Sequence, residues 1–136
     1  MNDRLNATPG TTLPGFTAIF TRDTLVRYAG ASTDFNPIHW SDQAASALGL
    51  PGVIAQGMLT MGAALRVITD WAGADRVCSY RVRFAKPVVV DASQGATLEF
   101  SGVVTAVEDG VATVALTALC DGVSVLGSAV AEVRVD

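Results

Sequence analysis

The chain has 136 residues, half of them hydrophobic and only 16% charged, with a formal charge of −4. That length fits one domain, residues 1–136, able to hold a core without disulfides or a metal. The acidic balance excludes the basic footprint of a nucleic-acid binder, and the apolar surplus predicts burial in an oligomer, at least a dimer.

The opening stretch, MNDRLNATPG, lacks the apolar core of a signal peptide, so a cytoplasmic protein is expected. Residues 1–15 carry Pro9, Gly10, Pro14 and Gly15 with little periodicity and read as a loose arm. Phe16 to Phe20 alternates large with small residues, as a short strand does. Thr21 is a suitable N-cap for RDTLVRYAG, with Asp23 in the first turn and Gly30 as the stop. Residues 31–40 have no helical period and contain Pro37, which predicts an irregular segment.

Ser41 then caps DQAASAL, Gly49 stops it, and Pro51-Gly52 turns the chain into VIAQGMLTMGAALRVITDWAG. Ile54, Met58, Met61, Leu65 and Ile68 recur at three- and four-residue steps, predicting one long helix from Val53 that is apolar or small nearly all round. Gly57, Gly62, Ala63 and Ala64 admit close neighbours, so a sheet should wrap this helix. Its apolar run from Val53 to Leu65 is interrupted by Gln56 and Thr60 and stopped by Arg66, short of the roughly 20 residues a membrane span needs.

From Asp75 onward the pattern turns to Val, Thr and aromatic residues in partial alternation, as in strands. The segments are RVCSYRVRFAKPVVV, ATLEFSGVVTAVED, VATVALTALCD and VSVLGSAVAEVRV, separated by turn signals at Ser93-Gln94-Gly95, Asp109-Gly110 and Asp121-Gly122. An antiparallel meander follows. Cys78 and Cys120 lie in these strands without metal-ligand spacing, so buried free thiols, a reducing compartment and no metal site are expected. The fold class is α+β, with one long helix against a curved antiparallel sheet.

Chemistry concentrates in STDFNPIHW, residues 32–40, which holds the only histidine. Five extended residues span up to about 17 Å, so spacing alone does not make Asp34 and His39 neighbours. Pro37 restrains the segment, and Ser32 and Asn36 are able to bond nearby backbone and order the loop. Two readings stand: an acid-base pair that holds a water, or Asx-type turn formers beside a loop histidine. A Ser-His-Asp triad is disfavoured because no GxSxG elbow occurs, and no phosphate-cradling glycine motif is present.

Residues 28–62, YAGASTDFNPIHWSDQAASALGLPGVIAQGMLTMG, resemble the signature of the MaoC-like, R-specific hydratase branch of the hotdog superfamily. NPIHW, GMLTMG and the VRF of Val82 to Phe84 look most like the catalytic subunit of heterodimeric (3R)-hydroxyacyl-ACP dehydratases of fatty acid elongation. The resemblance implies a hotdog fold and reversible dehydration of (3R)-hydroxyacyl thioesters to trans-2-enoyl thioesters, carried on CoA or ACP with no cofactor. Asp34 and His39 would hold the water and move protons, and the backbone N–H of Gly57 would bind the thioester oxygen. The implied assembly is a heterodimer with a second MaoC-like subunit or a homodimeric (R)-specific enoyl-CoA hydratase. A thioesterase and a non-catalytic acyl-binding subunit are the other readings. Arg81, Arg83 and Lys86 are weak candidates for the carrier's phosphates, against a reading as solvated strand charges. One departure is Gln56, where the family commonly has histidine; glutamine retains a hydrogen bond at the helix start.

Overall fold

The computed structural model describes residues 5–136. Strand β1 (Thr12–Phe20) leads into helix α1 (Arg22–Ser32), a 3₁₀ turn (Pro37–His39), helix α2 (Asp42–Ala47) and the long helix α3 (Gly57–Ala72). A second 3₁₀ turn (Ala74–Arg76) precedes β2 (Val77–Phe84), β3 (Ala96–Glu108), β4 (Val111–Cys120), β5 (Val123–Ser124) and β6 (Leu126–Arg134). All pairings are antiparallel, in the order β1-β3-β4-β6-β2, with the short β5 beside β4. The result is an open antiparallel sheet with α3 across one face, the hotdog arrangement.

Period-2 alternation builds the inner face of the sheet. Leu98, Phe100 and Val104 of β3 meet Val114 and Ala118 of β4 and Ala131 and Val133 of β6, all buried. Ala64, Val67 and Ile68 of α3 close over them. Gly102 lets the helix come near: a Cβ there would stand 3.0 Å from Leu116 and 3.1 Å from Val67. The Tyr80 hydroxyl donates to the Met61 carbonyl at 2.8 Å, tying edge strand β2 to α3.

Both aspartyl-glycine turns form as read, with φ of 52° and 77° at Asp109-Gly110 and 51° and 74° at Asp121-Gly122. Positive φ at both central residues matches the twist of the flanking strands. The helix caps at Thr21 and Ser41 also form.

Several boundaries differ from the sequence reading. The loose arm ends earlier than expected, because β1 starts at Thr12 and pairs with β3. Gly10 N–H donates to the Val104 carbonyl at 2.7 Å, and Leu5 N–H to Val135 at 3.1 Å, so the stretch before it is also tied down. Residues 1–4 of the arm lie outside the described residues. Pro14 and Gly15 fall at a register shift between Leu13 and Phe16 of an edge strand, where a missing donor and a bulge are tolerated. A side chain on Gly15 would collide with the Phe100 carbonyl.

Helix α1 runs through Gly30 to Ser32 and stops at Thr33, whose φ of 60° is left-handed. Helix α3 starts at Gly57 and not at Val53, because residues 53–55 are extended and pair with 88–90. Ala55 N–H donates to Val88, and Val90 N–H to Val53, at 2.8 and 2.9 Å. This claims the KPVVV half of the expected strand, and β2 ends at Phe84. The meander holds for β3, β4 and β6, while β2 crosses to the far edge beside β6. Cys78 is exposed on β2 and Cys120 only partly covered, so the expectation of two buried thiols fails for lack of a covering layer.

Arg22 and Asp42 clamp these segments together. The guanidinium bonds both the Asp42 carboxylate, at 2.9 Å, and the Val90 carbonyl, while Val53 N–H donates to Asp42 at 3.1 Å. Hydrogen bonds from Arg22 and from the Val53 amide hold the Asp42 carboxyl below the usual carboxylate range. Stability from this shift is complete above the unfolded carboxylate pKa of about 3.9 and is lost as pH falls through the lower folded value. Acid unfolding of Asp42→Asn, followed by circular dichroism, should therefore show a flatter stability decline below about pH 4 than the parent chain.

Candidate active site

The site is assembled from the C-terminal end of α1 onward. The Ser32 hydroxyl donates to the Tyr28 carbonyl at 2.7 Å and accepts from the Asp34 N–H at 3.2 Å. Thr33 in the left-handed region then reverses the chain. Asp34 Oδ1 accepts from the Asn36 N–H, and Asn36 Oδ1 from the Ile38 N–H, both at 3.2 Å. Pro37 opens the short 3₁₀ turn that Asn36 caps. Trp40 Nε1 donates back to the Phe35 carbonyl at 3.1 Å and closes the loop. Ser32 and Asn36 thus act on the main chain, and Asp34 spends one oxygen on it.

This series of local bonds turns His39 inward until it is 7% exposed. Its Nδ1 lies 2.7 Å from the Ile54 carbonyl oxygen. A carbonyl only accepts, so Nδ1 carries the hydrogen and Nε2 holds the lone pair of the neutral ring. Nε2 in turn lies 3.5 Å from Asp34 Oδ2. Two acceptors facing one another at that separation suit a water donating to both, or a proton moved onto the imidazole. The sequence separation of five residues is folded into one facing pair.

His39 opens on a cleft of ≈ 310 Å³ whose walls include Gly57, Thr60, Phe84, Lys86 and Leu126. Gly57 is the first residue of α3, and the N-cap Gln56 makes no side-chain cap bond. The first-turn amides of a helix have no intrahelical acceptor, and the helix dipole adds partial positive charge there. This is a place for a developing oxyanion, set in the same cleft as the imidazole. A Cβ at Gly57 would stand 3.0 Å from the Phe84 ring, so the glycine also makes room for that ring.

The three cationic candidates separate. Lys86 lines the cleft, whereas Arg81 and Arg83 lie on the exposed face of β2, opposite the partly buried Tyr80 and Val82. Alternation along β2 sets Arg81 and Arg83 on the exposed face, while Lys86 follows the end of the strand and borders the cleft with Phe84. Phe84 and Thr60 were not recognisable from local pattern, since each reads as an ordinary apolar or helix-face position. Gln56 stands at the helix start as expected, but its side chain bonds elsewhere: Nε2 donates to the Leu25 carbonyl of α1 at 2.9 Å. The residue is 2% exposed, and its Oε1 is buried without a hydrogen-bond partner.

A larger polar hollow, ≈ 690 Å³, is bordered by Arg22, Asp42 and Asp91. These groups already bond one another or nearby backbone. Among the described residues there is no group of three or more side chains suited to a metal, and no helix long and apolar enough to cross a membrane.

An open antiparallel sheet with a long helix across one face, and a DxNPIH loop that sets a buried histidine against an aspartate, place the chain in the hotdog class. The chain belongs to the MaoC-like domain family, which matches residues 5–120. It is 46% identical over 69 residues to 3-hydroxyacyl-thioester dehydratase X of Mycobacterium tuberculosis, a stretch covering 51% of this chain and 24% of that protein. Among solved structures, a MaoC-like dehydratase superposes with a TM-score of 0.92 at 37% identity, covering 96% of this chain and 41% of that one. A chain of the ChsH1-ChsH2 complex from Mycobacterium tuberculosis superposes with a TM-score of 0.84 at 28% identity, over 95% of this chain and 98% of that one. The chain thus spans less than half the length of the first two relatives.

The imidazole geometry is directly checkable, since His39 is the sole histidine. Long-range ¹H–¹⁵N spectra of the neutral ring should show the Nδ1–H tautomer; a dominant Nε2–H tautomer would contradict the bond to Ile54.

Proposed function

We propose that this chain is a hydro-lyase that interconverts (3R)-hydroxyacyl and trans-2-enoyl thioesters in fatty acid metabolism. The observation that carries the reading is the imidazole of His39, pinned through Nδ1 to Ile54 and facing Asp34 through Nε2, at a cleft shared with the N-terminus of α3. Membership of the MaoC-like family and likeness to a named 3-hydroxyacyl-thioester dehydratase support it.

In the dehydration direction, the pair removes a proton from C2 of the acyl chain and delivers a proton to the hydroxyl on C3. That hydroxyl leaves as water as the C2–C3 double bond forms. Negative charge passing onto the thioester oxygen is met by the Gly57 N–H at the helix start. Hydration runs the same path backward: the water between Asp34 and His39 adds to C3, and C2 takes up the proton. The proton transfers require no metal and no cofactor. Asp34 and His39 are the catalytic residues, with Ser32 and Asn36 ordering the loop that presents them.

Lys86 is the cation suited to a phosphate of a CoA or ACP-borne arm, because it alone of the three candidates lines the cleft. Arg81 and Arg83 are left as solvated strand charges. Phe35, Trp40, Met58 and Phe84 are large apolar side chains more than half exposed around the site and the start of α3. A second MaoC-like subunit is the natural cover for them, and the ChsH1-ChsH2 complex is a precedent for such pairing among structural relatives. A heterodimer is the favoured assembly and a homodimer the alternative, acting in the cytoplasm.

Purified protein, alone and co-expressed with a MaoC-like partner, should hydrate trans-2-enoyl-CoA, read as loss of the conjugated enoyl absorbance. Asp34→Asn and His39→Ala should each lower turnover roughly 100-fold or more with unchanged circular dichroism. Near-parental rates in either folded variant would sink the mechanism. Lys86→Ala should raise KM several-fold for the CoA ester while leaving kcat near the parental value; an unchanged KM would remove Lys86 from carrier recognition.

A further inference from the structure

We infer that Gln56 is a positioning residue for this reaction, and that helix α1 is the common base on which the acid-base loop and the oxyanion amide are set. The inference rests on the hydro-lyase reading for its kinetic consequence and on geometry for its structural one.

Two carbonyls of α1, three residues apart and so on one side of the helix, carry the site. The Tyr28 carbonyl receives the Ser32 hydroxyl, which holds the Asp34 N–H. The Leu25 carbonyl receives the side-chain amide of Gln56. Gln56 is the residue immediately before Gly57, and its own carbonyl accepts the Leu59 and Thr60 N–H groups that begin α3. Two residues before it, Ile54 fixes the imidazole through its carbonyl and bonds Ile38 through its N–H, at 2.7 and 3.1 Å. The short segment 54–57, extended at its start and opening α3 at its end, therefore carries both the acceptor that orients His39 and the amide offered to the thioester oxygen. Backbone pairing of residues 53–55 with 88–90 ties that segment to one side. The Gln56 amide ties it to α1, and α1 is itself anchored by the buried Leu25 and Ala29 and by the capping box at Thr21.

Filling space does not account for a glutamine here. Gln56 is among the largest fully buried side chains, yet its Oε1 has no donor. An apolar residue of similar volume would fill the same space without a desolvated, unpaired oxygen. The N–H that reaches Leu25 is what the glutamine contributes, and it contributes it without a titrating group.

The test compares the parent chain with Gln56→Leu and Gln56→Met, in whichever assembly is active. Both variants should stay folded, with an unfolding temperature equal to or above that of the parent. Their kcat for trans-2-enoyl-CoA hydration should fall 10-fold or more while KM moves less than 3-fold, because the groups are present but displaced. Gln56→His, which keeps an N–H for Leu25, should recover most of the lost kcat. The imidazole ¹H–¹⁵N cross-peaks of His39 should shift in the two apolar variants, a readout that needs no turnover. Parental kcat together with unmoved His39 signals would overturn the inference. So would loss of folded protein in both apolar variants, which would make Gln56 a core residue. If the parent itself lacks turnover, the functional reading fails, and the His39 spectra alone decide whether Gln56 positions the segment.

Discussion

The hydrogen bond from His39 Nδ1 to the Ile54 carbonyl is the constraint on which the site depends. It selects one tautomer, aims the other ring nitrogen at Asp34, and joins the DxNPIH loop to the strand-like segment that precedes α3. Without that carbonyl the imidazole would be free to rotate or exchange tautomers, and Asp34 would face either a donor or an acceptor. Ile54 is available because residues 53–55 are extended and paired with 88–90. The sheet-like start of the segment and the helical remainder thus differ in what they offer: the first orients the imidazole, and the second, in the proposed reaction, presents an amide.

Energetically the arrangement sets a well-packed core against an incompletely satisfied rim. The inner sheet face and one stripe of α3 are buried. The other side of α3 begins with the exposed Met58, and Phe84 lies over Gly57 with half its surface open. Apolar surface beside a cleft open to solvent is costly to leave in water. A subunit that covers it would dry the site, strengthening the interactions of Asp34, His39 and the Gly57 amide.

Gln56 shows how local similarity and tertiary role differ. A polar side chain ahead of a helix reads as a cap, and the residue is indeed at the N-cap position. Its side chain turns away from its own helix because the Leu25 carbonyl of α1 lies within reach and the first turn of α3 faces the cleft. Sequence periodicity has no access to that choice. The same holds for Arg81, Arg83 and Lys86, which share one basic stretch yet part company once strand alternation and the end of β2 are known.

Much of the fold was legible because its signals are local. Thr21 and Ser41 cap helices through their own hydroxyls, the Asp-Gly pairs adopt positive φ, and the Val- and Thr-rich segments alternate at period 2. The local geometry of the loop proposed for acid-base work was legible too, since Ser32, Asp34, Asn36 and Pro37 shape it by bonds spanning at most four residues. Long-range partners decided the rest. Pairing with 88–90 moved the start of α3 from Val53 to Gly57, pairing with β3 drew Thr12 into the sheet, and β2 went to the far edge beside β6. The sequence by itself determined which residues are able to cap, turn, alternate and titrate, because those properties belong to a residue and its near neighbours. Only the tertiary structure decided that Ile54 would face His39, that Gly57 would open α3, and that Gln56 would hold α1, because each requires segments distant in sequence to meet.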